Sequence, residues 1–254
     1  MKTFFLFLRS ASFFTYISCT LALAVINGVP LEESDYESVV CLYNEKTGEI
    51  CTGTFVSPTQ VLTAAHCMGG EQDDNGEVEV QLLIVEKLDI KKGKYLVRGR
   101  SKRAFRHPGW ARRSGSNQWD IGILEFEEGI VTNFSEVASK RPGFGEKIEL
   151  VGYGTDEIDV FSVLKRAGVK RWGENYIAGF SRRPSYIYVD SSPHSLNKEG
   201  KVALGNFGDS GGPVFAKGKI VGVWSRTTDK YEGIAIDINT PSSSWFLKEH
   251  GIFR

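Results

Sequence analysis

From Ser38 onwards the apolar positions fall into short runs separated by turn residues. They are Ser38–Tyr43, Thr52–Val56, Val78–Val85, Tyr95–Val97, Ile121–Phe126, Lys147–Val151, Tyr186–Val189, Pro213–Phe215, Ile220–Trp224 and Gly233–Ile238. Many are rich in Val, Ile and Tyr and alternate in part with polar side chains, the period-two pattern of half-buried antiparallel strands. Asn75-Gly76 and Lys217-Gly218 read as hairpin turns. Only Ser242 to His250 departs from this, reading as a helix with Trp245 and Phe246 available to pack. The pattern predicts an all-β protein with a short C-terminal helix. No repeat or low-complexity tract interrupts it. The polar, Gly- and Pro-bearing stretch Asn133–Gly145 divides the runs into two groups.

With 254 residues, 41% of them hydrophobic, the chain can bury one large core or two modest ones. Lys+Arg and Asp+Glu number 31 each, so nothing points to nucleic acid or an anionic membrane as a partner. The N-terminus differs in kind. Lys2 and Arg9 supply a positive region, an apolar stretch runs from Ala11 to Leu23, and Ala22-Leu23-Ala24 is a small-x-small cleavage pattern. Residues 1–24 therefore read as a secretory signal. As a membrane span the stretch is too short and is dotted with Ser and Thr. Lipidation at Cys19 is the lesser alternative, since Tyr16-Ile17-Ser18 is a poor lipobox. Removing the signal takes two bases and no acid, leaving 29 basic against 31 acidic groups. The mature chain is expected to be secreted (periplasmic if the cell is bacterial), free of the membrane and monomeric.

Three stretches carry candidate chemistry: Gly208-Asp209-Ser210-Gly211-Gly212-Pro213, Leu62-Thr63-Ala64-Ala65-His66-Cys67 and Asp120-Ile121-Gly122-Ile123-Leu124. A serine among glycines is exposed and can have backbone N–H groups beside it, which a reactive hydroxyl needs to stabilise an oxyanion. Alone, such a stretch is more often an ordinary turn. Asp120 heads an apolar strand, where a carboxylate without a partner would be costly. The Gly-x-Ser-x-Gly pattern also fits the nucleophile elbow of α/β-hydrolases, which requires a strand–turn–helix setting with acid and base after the serine. Only 44 residues follow Ser210, and their single histidine is His250. That alternative fails.

Taken together, the three stretches resemble the trypsin/chymotrypsin family of serine proteases, whose triad runs in the order His, Asp, Ser. The flanks agree: Val25-Ile26-Asn27-Gly28 is similar to the family's mature N-terminus, His107-Pro108-Gly109-Trp110 to a turn upstream of its aspartate, and Pro142-Gly143-Phe144-Gly145 with Val151-Gly152-Tyr153-Gly154 to the start of its second barrel. The resemblance implies two six-stranded antiparallel β-barrels over residues 25–254, the first about 25–135 and the second about 136–254. It implies Ser210 as nucleophile, His66 as general base and acid, and Asp120 as the group that orients the imidazole. Gly208 and Ser210 would donate the oxyanion hole, and Ser225 would support Asp120. A protein or peptide is the implied substrate, and no cofactor is expected. The alternative from another class is a protease fold turned binding module. Such relatives usually lose a triad residue or the oxyanion glycine, and all four residues are present here.

The resemblance also implies a Cys51–Cys67 disulfide, worth about 3 kcal/mol for a loop of this length. Cys41 is then left as a buried free thiol. Asn206 stands where a cysteine would brace the substrate pocket. Counted back from Ser210, the pocket base falls on Leu204, with Phe207, Arg226, Thr227 and Gly233 around it. No carboxylate is there to receive Lys or Arg, so a preference for apolar or small side chains is expected. Arg226 could instead attract an acid. Cleavage after Ala24 would free the amine of Val25 to pair with Asp209, activating the enzyme without a second protease. The acidic group Glu71, Asp73, Asp74 and Glu77 has no recognisable metal-ligand spacing and reads as a solvated turn. Asn133-Phe134-Ser135 is a glycosylation sequon that matters only in a eukaryotic secretory path. His107 reads as structural, His194 and His250 as surface positions.

Overall fold

The structure, a computed structural model, describes residues 25–73, 75–110, 119–155, 167–181, 186–189, 202–228 and 232–253. Residues 1–24, expected to be a secretory signal, lie outside the described residues, as do Asp74 and His194. Among the described residues fourteen strands form two antiparallel sheets. The first holds β2 (Val39–Tyr43), β3 (Ile50–Phe55), β4 (Gln60–Thr63), β5 (Leu83–Asp89), β6 (Lys94–Arg100), β7 (Arg103–Arg106) and β8 (Gly122–Glu125), in the order β6-β5-β2-β3-β4-β8-β7. The second holds β1 (Val29–Pro30), β9 (Lys147–Gly152), β10 (Arg171–Phe180), β11 (Tyr186–Val189), β12 (Pro213–Ala216), β13 (Lys219–Thr227) and β14 (Gly233–Asp237). In this sheet β9 pairs with both β12 and β10, so β10-β11-β14-β13-β12-β9 closes into a six-stranded barrel.

Each sheet has seven strands rather than six, for two different reasons. In the first, only Ser101-Lys102 separates β6, which pairs with β5, from β7, which pairs with β8. The two are halves of one bent strand that joins the edges of the sheet. In the second, β1 is a two-residue addition on β10. The turn expected at Lys217-Gly218 closes the β12–β13 hairpin with positive φ at both residues, 51° and 75°. Strand β10 went unmarked in the pattern because its polarity is inverted: Arg171, Gly173 and Asn175 are buried, while Tyr176 is exposed. β4 and β7 also went unmarked, each having only a pair of apolar residues between polar ends.

The termini cross over between the halves. Val29–Pro30 belongs to the second sheet, although it precedes every strand of the first. Helix α1 (Pro241–Glu249) follows the last strand and returns to the first half. Thr240 caps it through its hydroxyl, which accepts from Ser243 N–H at 3.3 Å, and Pro241 begins it. Phe246 of α1 lies against His107, and His250 against Phe105. His250 is thus a packing residue rather than the surface position expected. His107 is structural: it accepts from Gly109 N–H at Nδ1, so its other nitrogen donates to Ser242 Oγ at 3.0 Å. Between the halves, Lys170 is buried with its ammonium donating to the carbonyls of Glu33, Asp35 and Tyr36. This crossing of chain ends sets the edges of the two sheets against each other, and the candidate site lies there.

Candidate active site

Ser210 sits in the loop leading into β12, and both sheets hold that loop. Gly211 N–H donates to the carbonyl of Trp224 on β13 at 2.7 Å. From the first sheet, Thr52 N–H donates to the Ser210 carbonyl at 2.8 Å, and the Thr52 hydroxyl donates to the Gly208 carbonyl at 2.8 Å. Two glycines are required by shape. Gly211 has φ +84°, and a methyl there would overlap Thr63 Oγ1 and the Thr52 carbonyl. Gly208 has φ +93°, with the backbone of Gly154 2.8 Å from where a methyl would lie. The N–H groups of Gly208 and Ser210 meet no acceptor among the described residues.

His66 lies in a 3-10 turn, Ala65–Met68, directly after β4, and Cys67 in the same turn is joined to Cys51 of β3 by a disulfide. Its Nδ1 is 2.7 Å from Asp120 Oδ2, and its backbone N–H donates to Asp120 Oδ1 at 2.9 Å. A carboxylate only accepts, so Nδ1 carries the proton and Nε2 of the neutral ring is the acceptor. Burial works to lower the His66 pKa, but the hydrogen bond and charge of Asp120 outweigh it and leave the value raised. Asp120 is fully buried and also accepts from Ser225 Oγ at 2.6 Å. Just before it, Trp119 has φ 59°, an uncommon conformation held by stacking on His107 at 5.7 Å. The Ser210 hydroxyl donates to the Ser225 carbonyl at 3.4 Å. His66, Ser210 and Ser225 line one cleft of about 520 Å³, and the buried Asp120 is hydrogen-bonded to two of them.

A family model described as Trypsin matches residues 25–246. The chain belongs to the trypsin family. Among curated relatives, the trypsin of Simulium vittatum is 26% identical over 196 residues, covering 69% of this chain and 69% of that one. The trypsin of Phaedon cochleariae is also 26% identical, over 240 residues, covering 84% and 83%. Among solved structures, neuropsin, a serine protease expressed in the limbic system of mouse brain, aligns with a TM-score of 0.64 at 17% identity. That alignment covers 88% of this chain and 98% of neuropsin. This trypsin-family chain is a serine-type endopeptidase.

The remaining expected site residues are placed unevenly. Phe207, Arg226 and Thr227 line the cleft. Leu204 and Gly233 do not: both are buried, and Gly233 is packed against the indole of Trp224 and the side chain of Leu204. Arg226 is turned toward Tyr186, with its guanidinium 5.5 Å from that ring. Asp209 is wholly buried and accepts from Gly154 N–H and Asn206 N–H, each at 2.8 Å. Burial dominates and pushes its carboxyl up to about 7, against those two bonds and the charge of Arg171. Val25 is buried too, and the segment it begins pairs with the loop that precedes Asp209 through Ile26 and Leu204. In the full chain Val25 is joined to Ala24, so its nitrogen is an amide and carries no charge.

Two residues that the sequence did not mark belong to the site. Thr52 anchors Gly208, and Trp224 packs against Gly205, next to the cleft-lining Asn206; neither stands in a motif. The ligand-type atoms of Cys51, His66 and Cys67 cluster, but the two sulfurs are bonded to each other and offer no thiolate. In the acidic turn, Asp73 accepts from Asn75 and Glu77 N–H, and Glu77 pairs with Arg103. Cys41 is buried and free, and burial pushes its thiol up. No helix among the described residues is long and apolar enough to cross a membrane.

Proposed function

We infer that this trypsin-family enzyme is secreted and cuts internal peptide bonds with Ser210 as nucleophile, His66 as general base and acid, and Asp120 as the residue that holds the imidazole. The reading rests on one observation above the rest: the buried Asp120 carboxylate 2.7 Å from His66 Nδ1, at the cleft that Ser210 also lines. Rotation of the Ser210 hydroxyl away from the Ser225 carbonyl would bring it to His66 Nε2. As Ser210 Oγ attacks the substrate carbonyl, its proton passes to Nε2, and Asp120 stabilises the imidazolium. The oxyanion would be held by the N–H groups of Gly208 and Ser210. Collapse breaks the C–N bond, His66 protonates the departing amine, and Ser210 is left acylated. Water attacking through the same base then returns the free serine and releases the acid.

Cleavage after Lys or Arg is disfavoured in this reading. A buried cation needs a counter-charge, and the one acid among the described residues lining the cleft, Glu49, comes from the turn between β2 and β3. Removal of residues 1–24 would free the Val25 amine to reach Asp209. The test is Ser210→Ala in secreted protein, with a fluorophosphonate label on the parent. Turnover should fall by several orders of magnitude and labelling should vanish. A variant that still cleaves peptides at the parental rate overturns the assignment.

A further inference from the structure

We propose that Trp224 is the specificity-determining residue of this enzyme: its indole fills the space that a substrate side chain would enter, and restricts cleavage to bonds that follow glycine, alanine or serine. The inference rests on Ser210 being the nucleophile and deepens that reading. Beside Ser210 the cleft is bounded by two walls, the segment Asn206–Gly208 and the end of β13, Ser225–Thr227. A side chain next to the attacked carbonyl has to pass between them.

The two walls are joined by the chain itself. Thr227 Oγ1 on one wall donates to the carbonyl of Gly205 at the root of the other, tying the walls together. The indole of Trp224, fully buried, packs against Gly205, the residue whose carbonyl accepts this bond, with one part of the ring and against Gly233 with another. A methyl group at either glycine would overlap the ring, so both positions are small because the indole is there. Leu204 and Val189 then fill the space around Gly233. Leu204 and Gly233 therefore contribute to the floor without touching substrate.

A second observation is independent of this shape. The indole N–H of Trp224 is buried and finds no acceptor among the described residues. Leaving such a donor unpaired costs stability, and an apolar side chain would avoid that cost. The indoles of Trp110 and Trp172 are unpaired among the described residues in the same way, so it is the packing of the Trp224 ring against Gly205 and Gly233 that carries the inference. Exposed Phe207 (57%) at the lip leaves an apolar surface over a shallow opening, suited to a small residue and the peptide backbone on either side.

The test uses the mature chain beginning at Val25 and peptides that differ only at the residue whose carbonyl is attacked: Gly, Ala, Leu, Phe and Arg. The parent is expected to favour Ala over Leu, Phe and Arg by about tenfold or more in kcat/KM, about what one or two methylenes command in a fitted pocket. Trp224→Val should open the space and raise Leu and Phe relative to Ala by about tenfold. Thr227→Val, which removes only the tie, should shift the same ratio in the same direction to a smaller extent, and decides the matter with the parental profile should Trp224→Val not fold. Each protein is also labelled with a fluorophosphonate. An unlabelled parent overturns the nucleophile assignment and this inference with it. A labelled parent that cuts after Leu, Phe or Arg as fast as after Ala overturns the plug alone, as does a labelled Trp224→Val with an unchanged ratio.

Discussion

Ser225 Oγ donates to Asp120 Oδ2 at 2.6 Å, joining β13 of the second sheet to the carboxylate that heads β8 of the first. Asp120 has no exposure to solvent, so each donor it keeps counts. A hydrogen bond to a charged group contributes about 1.5–3 kcal/mol. Ser225→Ala should therefore lower the melting temperature and reduce kcat by about tenfold or more. Parental kinetics in the variant would show that the bond does not support the candidate triad.

The raised pKa of His66 sets opposite trends for activity and stability. As base it must be neutral, so kcat/KM should climb with pH through an apparent value above the ordinary 6.5. The charged pair's contribution to stability is complete below the unfolded value and is lost as pH rises through the raised one. Asp120→Asn should lower kcat by about four orders of magnitude, and move the acid limb of the pH profile downward. An acid limb that stays in place would separate Asp120 from His66.

Thr52→Val tests the anchor of the oxyanion loop. The fully buried Thr52 hydroxyl donates to the Gly208 carbonyl and accepts from Tyr153 N–H at 3.1 Å. Valine has nearly the same shape and neither bond. The unpaired Tyr153 N–H should cost about 1–3 kcal/mol in denaturant unfolding. Looser placement of Gly208 should lower kcat by about tenfold to a hundredfold, while KM changes little. A loss confined to stability would remove Thr52 from the catalytic account.

Asp209 offers a test of activation. Its carboxyl rises from 3.8 to about 7 in the folded chain, chiefly through burial. Between those values the folded state holds a proton that the unfolded state has lost, so stability falls as pH climbs from about 4 to about 7. A free Val25 ammonium beside it would stabilise the carboxylate and lower that value. In a Ser210→Ala background, the chain carrying Ala24 should lose melting temperature across this window, and the chain starting at Val25 should lose much less. Parallel curves would leave Asp209 without the proposed partner. An active secreted form that starts elsewhere than at Val25 would do the same.

What the sequence determined by itself was what short range dictates. Alternation marked most of the strands, turn chemistry marked the Lys217-Gly218 hairpin, and a helical stretch with Trp245 and Phe246 to pack marked α1. The order of His66, Asp120 and Ser210, with their flanks, carried the family. Tertiary structure alone decided features that depend on which distant segments become neighbours. Arg171 and Asn175 face inward on β10 because polar partners are supplied there, so a binary pattern could not mark that strand. Thr52 reaches the carbonyl of Gly208 across 156 residues of chain, and no local signal encodes that bond. The pocket is the plainest case. Leu204 and Gly233 stand at the expected positions in the sequence, yet neither lines the cleft, and the ring of Trp224 packs against Gly233. A large ring and two glycines give no sign of sharing one space until the strands that carry them are brought into register.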